Sequence, residues 1–535
     1  MSPELVLEDT PHGCQVHYEG RALYGPHPLP DADRRVRARS IAPGTLIVWP
    51  SPVLWHGWRE LAVRLAPECT VFAPEADPVL HELARRHLPD DPRIVLLSAT
   101  PAQAIEALRR AGEHRYRRVI EISTTASALT HRPRYRGLLA ALEREIRVFW
   151  QNRMTLAAMG RLWVRNAIAN IAQLRQATPV SPRSGPAVVC GAGPSLEKAI
   201  AFIREERPRV TLVAVDTALS VLHGHGVVPD LVVALEGQLA NAYDFLPIPN
   251  RDYHLVTDLS ASPLVARVHP RASWTVSEFV PFSLIRRLRS LPGVQWSLPP
   301  LGSVGVAAVR IAADLGCSPI LCTGLDFAVS PGVTHARGAP ACLTGMSQTC
   351  RLRPVPDPAL GARLVSLPGA SGPVHSTLVL AGYADELGRT IGDRGDVYAI
   401  APFGLSFGAT PVSAREACRC LEPEPAVSRE RAGADAQRID EASVHRKTYE
   451  FVNAELSRLT GFAASLSAGG VPPPQEIPPA LDYLVVEASD RITSFAGPVR
   501  LRRADGATWR RLGIAADYYI DRWRTTLRLL EASEP

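Results

Sequence analysis

Short apolar runs alternate with amphipathic stretches along the first 130 residues. The apolar runs lie at 45–49, 70–73, 93–97 and 118–122, and helical spacing is found at 58–65 and 77–87. Apolar runs of this length are typical of buried strands, and their alternation with helices predicts a parallel sheet. The sequence Pro50–Trp55 follows the first strand and lacks the glycines that let a cofactor approach the backbone. We interpret residues 1–130 as a degenerate Rossmann-type domain with a structural role; a second active site is the alternative.

The same alternation returns, more strongly, over residues 186–410. Predicted strands cover 187–190, 211–216, 231–236, 254–258, 274–276 and 319–326, with helices at 196–206 and 302–315. This pattern predicts a doubly wound, Rossmann-like α/β domain.

Helical patterns dominate the remaining chain. Residues 134–176 predict a long helical connector, which a Pro/Ser-rich linker separates from the central domain. Residues 425–535 predict a helical C-terminal domain with segments at 441–465, 479–496 and 506–532. No candidate chemistry occurs there, so partner binding or capping is the expected role.

Composition narrows the class of protein. The 535 residues exceed what one hydrophobic core supports, and 46% hydrophobic with 21% charged residues is typical of globular proteins. The net charge of +6 is spread without blocks of like charge, so no nucleic-acid partner is predicted. Nine cysteines without metal-ligand spacing indicate reduced thiols. Since neither a signal peptide nor an apolar run of about 18–20 residues is found, we expect a cytoplasmic protein without an integral membrane segment.

The strongest local motif is the turn Gly191-Ala192-Gly193-Pro194-Ser195-Leu196, directly after a predicted strand. Two glycines let backbone amides approach a phosphate, and the following helix adds its positive dipole end. Pro194 and Ser195 suit the start of that helix. The motif lacks the third glycine of the dinucleotide fingerprint and the Gly-Lys-Ser/Thr of a P-loop.

Two carboxylates end the next predicted strands, Asp216 and Glu236. Ligands of open α/β sheets bind at the carboxyl ends of strands, so both side chains are expected at the crevice. Asp216 is a candidate for a ribose hydroxyl and Glu236 for sugar hydroxyls. The alternative is that these acids cap the following helices.

A third cluster combines Gly324 and Asp326 with the loop that contains Thr334, His335 and Arg337. A histidine side chain titrates near neutral pH, and a position just beyond a strand end would let it act on a ligand as a general base. Its proximity to Asp326 supports a catalytic pair, whereas a lone loop histidine is more often a surface residue.

In order along the chain, the motifs at 191–196, 215–219, 226–230, 302–304, 324–328, 334–336 and 397–408 resemble the Maf (motility-associated factor) flagellin glycosyltransferases. The central domain of that family is shared with MptE-like archaeal pterin pyrophosphokinases. The helix with Trp163, Arg165, Asn166 and Asn170 is similar as well. The resemblance covers roughly residues 150–410.

The resemblance implies transfer of a nonulosonic acid (sialic, pseudaminic or legionaminic type) from a CMP-sugar to Ser or Thr of flagellin. The central domain of that family is similar to the bacterial sialyltransferases, which need no metal for the chemistry. The resemblance therefore implies no cofactor. Residues 191–196 would then bind CMP, together with Gly302, Ser303, Gly324, Thr334 and Arg337. Asp216 and Glu236 would flank the donor, and His335 would be the base or a phosphate contact.

Two other functions stay open. A pterin pyrophosphokinase would need ATP and Mg²⁺, and clustered acids to hold the metal. In the sequence Glu236 has no acidic neighbour before Asp244, which disfavours this reaction. Glu236 also stands where the family's aspartate is expected. The third possibility is a non-catalytic flagellar scaffold, which would tolerate loss of His335 and Asp216.

Overall fold

The computed structural model describes the chain with several gaps. The described residues are 4–66, 69–246, 248, 252–267, 269, 271–329, 333–347, 349–351, 364–370, 372–421, 440–467, 477–487 and 506–532. They divide into two compact units, one up to Ala158 and one from Met159 onward. Residues 488–496 of the predicted segment 479–496 and residues 425–439 of the predicted C-terminal domain lie outside the described residues.

The first unit contains a small parallel sheet and an antiparallel one. Its strands are β1 (Leu5–Thr10), β2 (Gly13–Tyr18), β3 (Arg21–Ala22), β4 (Thr45–Val48), β5 (Thr70–Glu75), β6 (Ile94–Ser98) and β7 (Arg118–Glu121). Its helices are α1 (Pro28–Arg37), α2 (Trp58–Ala62), α3 (Pro78–Arg86), α4 (Pro101–Ala111) and α5 (Ser127–Thr130), with a 3-10 turn at Glu113–Arg115. The parallel sheet has the order β6-β5-β4-β7, as the alternating pattern predicts, whereas the sheet β1-β2-β3 was not foreseen.

The turn after β4 is filled by polar side chains of its own unit. Ser51 is fully buried; its hydroxyl pairs with that of Ser127, and its carbonyl accepts from Thr125 Oγ1 at 2.7 Å. Trp49 Nε1 donates to Thr124 Oγ1. Side chains therefore occupy the place where a Rossmann cofactor would approach the first turn.

The second unit is built on one large sheet. The 40-residue helix α6 (Arg132–Ile171) leads into it. The strands are β8 (Gly185–Cys190), β9 (Thr211–Val215), β10 (Leu231–Ala234), β11 (His254–Asp258), β12 (Ala272–Ser277), β13 (Val294–Leu298), β14 (Cys317–Thr323), β15 (Val365–Gly369), β16 (Gly372–Ser376), β17 (Val397–Ile400) and β18 (Thr410–Val412). Nine of these described strands pair in parallel in the order β13-β12-β11-β10-β9-β8-β14-β17-β18, and β15 with β16 forms a hairpin.

The second unit has ten described helices besides α6. They are α7 (Ser195–Glu206), α8 (Asp216–Gly224), α9 (Pro263–Arg267), α10 (Ser283–Leu288), α11 (Val304–Asp314), α12 (Pro340–Ser347), α13 (Leu378–Ile391), α14 (Ala414–Cys420), α15 (Glu441–Ser467) and α16 (Gly506–Glu531). Short 3-10 segments lie at Leu174–Gln176, Arg207–Arg209, Leu239–Asp244 and Pro479–Glu487. The predicted α/β class with a Rossmann-like central domain is confirmed.

The centre of the sheet is also its switch point. From β8 the chain proceeds through β9 and β10 to one side, and it returns on the other side of β8 as β14. These strands are apolar along nearly their whole length because both faces of a parallel sheet are covered. Crevices at the carboxyl ends of such neighbouring strands are the usual ligand sites of doubly wound sheets.

The C-terminal helices pack within the second unit. Glu455 on α15 is fully buried and accepts hydrogen bonds from Arg287 of α10 at 2.8 and 3.0 Å. Thr526 on α16 donates to the Ile168 carbonyl of α6. Among the described residues, the helices lack the combination of length and apolar composition that a bilayer crossing demands.

Candidate functional site

A cavity of about 800 Å³ opens at the carboxyl ends of β8, β9, β10 and β14. Eleven of the residues predicted from the sequence lie in its wall: Gly191, Ala192, Gly193, Asp216, Glu236, Gly302, Ser303, Gly324, Asp326, Thr334 and His335. The fold thus gathers residues that are up to 144 positions apart in the chain (191 to 335) around one space. A cavity of this size accommodates a ligand as large as a nucleotide-sugar.

The floor of the cavity consists of two backbone turns that hold each other. The amides of Gly191 and Gly193 donate to the carbonyls of Thr323 and Gly324, both at 2.8 Å. In return, the Gly324 amide donates to Ser195 Oγ at 2.8 Å. Gly324 has a φ of +68°, and a Cβ there would collide with the Gly191 carbonyl. Glycine is therefore required by both the backbone angle and the close approach.

Asp326 occupies the beginning of helix α7. Its Oδ2 accepts a hydrogen bond from the Ser195 amide at 2.9 Å and lies against Gly193, which has no side chain to obstruct it. Pro194 is the N-cap residue and makes no side-chain cap, so Asp326 caps this helix from another strand. Burial raises the pKa of Asp326, while the Ser195 amide opposes that shift. Asp326 thus stabilises the start of α7, and its catalytic role stays a prediction.

These contacts correct one expectation about the glycine turn. The amides of Gly191, Gly193 and Ser195 were expected to receive a phosphate, yet each already donates to a protein acceptor. The dipole end of α7 likewise faces the Asp326 carboxylate. The turn shapes the cavity floor, and these three amides are not free to hold a phosphate.

Three carboxyl groups influence one another electrostatically although the sequence separates them. Asp216 begins α8 and is 2% exposed, and the 3-10 helix Leu239–Asp244 carries the buried Asp244. Burial raises the pKa of Asp216 to about 8, and the charges of Asp244 and Glu236 contribute. Burial also raises the pKa of Asp244 to about 6. The acids therefore interact across the fold, but among the described residues no cluster of three or more His, Cys, Asp or Glu could hold a metal ion.

Glu236 differs from its two neighbours in its access to solvent. Its side chain keeps an exposed surface towards the open cavity. The surrounding protein nevertheless removes much of its water and raises the pKa of Glu236. It is therefore the carboxylate best placed to meet a ligand in the cavity.

His335 lies half-buried in the cavity wall. Its Nδ1 is 3.0 Å from Thr334 Oγ1, and its carbonyl accepts from Cys342 Sγ. Desolvation lowers the pKa of His335, so the imidazole is neutral at pH 7. If Nδ1–H donates to Thr334, the lone pair of Nε2 is available as a proton acceptor.

The beginning of helix α11 forms another wall. Ser303 is the N-cap residue, and its Oγ accepts from the Gly305 amide at 3.2 Å. The Gly302 amide donates to Glu386 of α13 at 2.9 Å, and a Cβ at Gly302 would collide with the Tyr383 ring. Gly302 therefore allows α13 to approach the cavity, and Ser303 remains a candidate for ligand contact.

Four predicted site residues do not line the cavity. Pro194, Ser195 and Leu196 lie behind its floor, with Ser195 and Leu196 buried. Arg337 points to solvent with 89% of its side chain exposed and pairs with Glu197 of α7. The predicted contact between Arg337 and the nucleotide-sugar has no support in this arrangement.

Several cavity residues were missed by sequence reasoning. They come from α8, the turn after β10, and α13: Thr217, Gln238, Asn241, Thr377, Leu380 and Tyr383. Polar residues close after the predicted strand 231–236 were a usable signal for Gln238 and Asn241. Nothing in the local pattern of α13 indicates Tyr383, because that helix reaches the cavity only through the tertiary fold.

Comparison with known proteins agrees with this architecture. Residues 165–332 match the family described as 6-hydroxymethylpterin diphosphokinase MptE-like. The chain is 30% identical over 441 residues to an uncharacterized protein of Treponema pallidum (strain Nichols), covering 79% of this chain and 76% of that protein. A second uncharacterized protein of the same strain is 39% identical over 94 residues, 16% of this chain and 45% of that protein.

Among solved structures, the fold matches a Maf glycosyltransferase from Magnetospirillum magneticum AMB-1. The TM-score is 0.54 at 16% identity, with 99% of this chain and 91% of that chain covered. Fold and cavity thus define an α/β protein of Maf architecture with an MptE-like domain, and the resemblance to that family is confirmed. The chain belongs to the same family as the Treponema pallidum protein that it matches over 441 residues.

Proposed function

We propose that this protein is a glycosyltransferase that moves a nonulosonic acid from a CMP-sugar to Ser or Thr of flagellin. One observation carries the proposal: a cavity of about 800 Å³ lies at the switch point of a sheet with Maf architecture. The neutral His335 and the exposed Glu236 in its wall supply a proton acceptor and an acceptor for sugar hydroxyls.

The proposed reaction is an inverting displacement. The acceptor hydroxyl oxygen attacks the anomeric carbon of the sugar, and the bond from that carbon to the phosphate oxygen breaks. CMP leaves with the bonding electron pair, and the hydroxyl proton passes to Nε2 of His335. Ser303, which lines the cavity at the beginning of α11, would donate a hydrogen bond to the leaving phosphate in this proposal. No metal takes part in this proposal.

Exposed apolar side chains near the cavity support a protein acceptor. Leu239 and Tyr243, 60% and 61% exposed, flank the cavity residue Asn241, and Leu378 at the start of α13 is 53% exposed. Apolar surface beside a catalytic cavity suits a polypeptide better than a free sugar. The nine unpaired cysteines are compatible with action in the cytoplasm.

The direct test is incubation of the purified protein with flagellin and single CMP-nonulosonates, followed by intact mass measurement. The expected result is a mass increase of one sugar residue per modified site, unchanged by EDTA. His335→Gln should abolish it, whereas His225→Gln, a matched change at an exposed position, should not. Absence of both transfer and donor hydrolysis with every CMP-sugar would refute the proposal.

Pterin diphosphate transfer is the second candidate, favoured by the MptE-like match and by the proximity of Asp216, Glu236 and Asp244. Its magnesium fits poorly, since no group of three or more His, Cys, Asp or Glu in the described part of the chain could hold a metal ion. ATP-dependent diphosphate transfer to a hydroxymethylpterin, with a strict need for Mg²⁺, would establish this candidate instead.

A further inference from the structure

The cavity has an unusual charge for a site that receives anions. Its described lining residues include the carboxyl groups of Asp216, Glu236 and Asp326 but no lysine or arginine. His335 is neutral because desolvation lowers its pKa, and Arg337 is turned outward. Among the described lining residues, only neutral hydrogen-bond donors are therefore available to the phosphate and the sugar carboxylate of a nucleotide-sugar.

Asp216 is the buried polar group of this wall that lacks a partner. Its Oδ1 accepts from the Thr217 amide at 2.8 Å, whereas its Oδ2 has no hydrogen-bond partner among the described residues. The residue is 2% exposed and lines the cavity. An ionised carboxylate with an unpaired buried oxygen is costly, and the group escapes that cost by keeping its proton.

The surroundings of Asp216 reinforce the neutral form. Asp244, from the 3-10 turn Leu239–Asp244, and Glu236, after β10, both oppose its ionisation. The remaining titratable groups in the cavity wall are Asp326, His335 and Tyr383, and none of them supplies a positive charge at pH 7. Asp326 is engaged with the Ser195 amide.

We propose that Asp216 is a neutral carboxylic acid whose Oδ2–H donates a hydrogen bond to an anionic oxygen of the bound donor. The inference rests on the proposed function and adds a feature that selects anions in a cavity whose described lining residues include no lysine or arginine. Ionisation of Asp216 would replace this attraction by repulsion between two negative oxygens. Carboxylic acids that stay protonated at pH 7 are known hydrogen-bond donors in enzyme sites.

The titration of Asp216 should make ligand binding depend on pH. Because burial raises its pKa to about 8, the donor is present at pH 7 and is lost as the pH rises above 8. Asn at this position keeps an N–H donor of similar shape but cannot ionise. The wild-type protein and Asp216→Asn should therefore differ in pH dependence more than in affinity at pH 7.

The experiment measures binding of CMP to the full-length protein by calorimetry between pH 7 and pH 9.5. The wild-type Kd should rise at least about tenfold over this range, which equals about 1.4 kcal/mol. Asp216→Asn should bind within a few-fold of wild type at pH 7 and change little with pH, and Asp216→Ala should bind weakly throughout. Asp385→Asn, a matched change at an exposed site on α13, should follow wild type.

Two further ligands, compared with CMP, identify the anionic oxygen. Cytidine has no anion and should bind without this pH dependence, whereas CMP reports on the phosphate and free N-acetylneuraminic acid on the carboxylate. If Asp216→Asn loses affinity above pH 8 as wild type does, or if neither anion shows the effect, the role of Asp216 is overturned. If wild type binds CMP at no pH, the proposed donor class fails, and this inference fails with it.

Discussion

At the scale of single residues, the protonation of three groups decides what the cavity can do. The pKa of His335 is lowered, and the pKa values of Asp216 and Glu236 are raised. All three shifts have the same main cause, which is loss of water around an ionisable side chain. The residues were predictable from their positions after strands, but their protonation states were not, because these depend on neighbours that only the fold supplies.

The histidine leads to a prediction about the pH profile. As a general base His335 has to be neutral, and desolvation lowers its pKa, so the neutral form persists to more acidic pH than in an exposed histidine. We expect kcat/KM for sugar transfer to fall on acidification only below the pH at which an exposed histidine becomes protonated. His335→Gln should reduce kcat about 10²- to 10⁴-fold. A fall that begins above pH 7 would contradict the assignment.

Asp216 also leads to a prediction about stability. Between pH 4 and pH 8 the unfolded chain ionises Asp216 and the folded protein does not, so this group lowers the free energy of unfolding as pH rises. The loss amounts to at most about 1.4 kcal/mol per pH unit. Asp216→Asn lacks it, so the variant should gain stability over wild type from pH 4 to pH 8 in urea unfolding. A difference that shrinks over this range would refute the raised pKa.

At the scale of elements, the two turns after β8 and β14 act as one interlocked unit. Gly324 combines a φ of +68° with direct contact to the Gly191 carbonyl, whereas Gly226 has a φ of +70° in open space. Gly226→Ala should cost roughly 1–2 kcal/mol from the backbone angle alone. Gly324→Ala should cost about 1–3 kcal/mol more, because the added Cβ has to displace a backbone.

Urea unfolding of the two glycine variants measures this difference directly. The comparison separates the angle, which both positions share, from the contact, which only Gly324 has. Equal losses of unfolding free energy would show that the two turns yield to each other easily. CMP binding should weaken in Gly324→Ala alone, since the turn forms the cavity floor.

At the scale of the whole molecule, compactness and sequence pattern divide the chain differently. The pattern predicts four segments, at 1–130, 134–176, 186–410 and 425–535, and that division stays a prediction. The described residues form two compact units, with the C-terminal helices in the same unit as the large sheet. The ion pair of the buried Glu455 with Arg287 joins helix α15 to α10, and Arg458 of α15 pairs with the same carboxylate.

This junction can be tested by removing the buried carboxylate. Glu455→Ala leaves two arginines without their partner and should cost about 3 kcal/mol of unfolding free energy. Glu278→Ala, which breaks an exposed pair with Arg289, should cost about 0–1 kcal/mol. One cooperative transition for the second unit is expected in both variants. A separate early transition of the C-terminal helices would show that they are independent of the sheet.

The sequence by itself determined the main strands and helices of both α/β regions and eleven residues of the cavity wall. Fully buried parallel strands have to be apolar throughout, and ligand groups of such sheets follow strand ends, so both leave local signals. The sheet β1-β2-β3 had no such signal, because β1 is largely exposed and β3 has only two residues.

Only the tertiary structure decided the contacts and the protonation of the residues in the cavity wall. It directed Asp326 to the start of α7, turned Arg337 outward, brought Tyr383 to the cavity, and brought Asp244 within electrostatic range of Asp216. Hydrogen bonding and desolvation depend on distances in space, and residues remote in the chain set those distances. The chemistry of a site is therefore a property of the packed fold, even where its residues can be read from the chain.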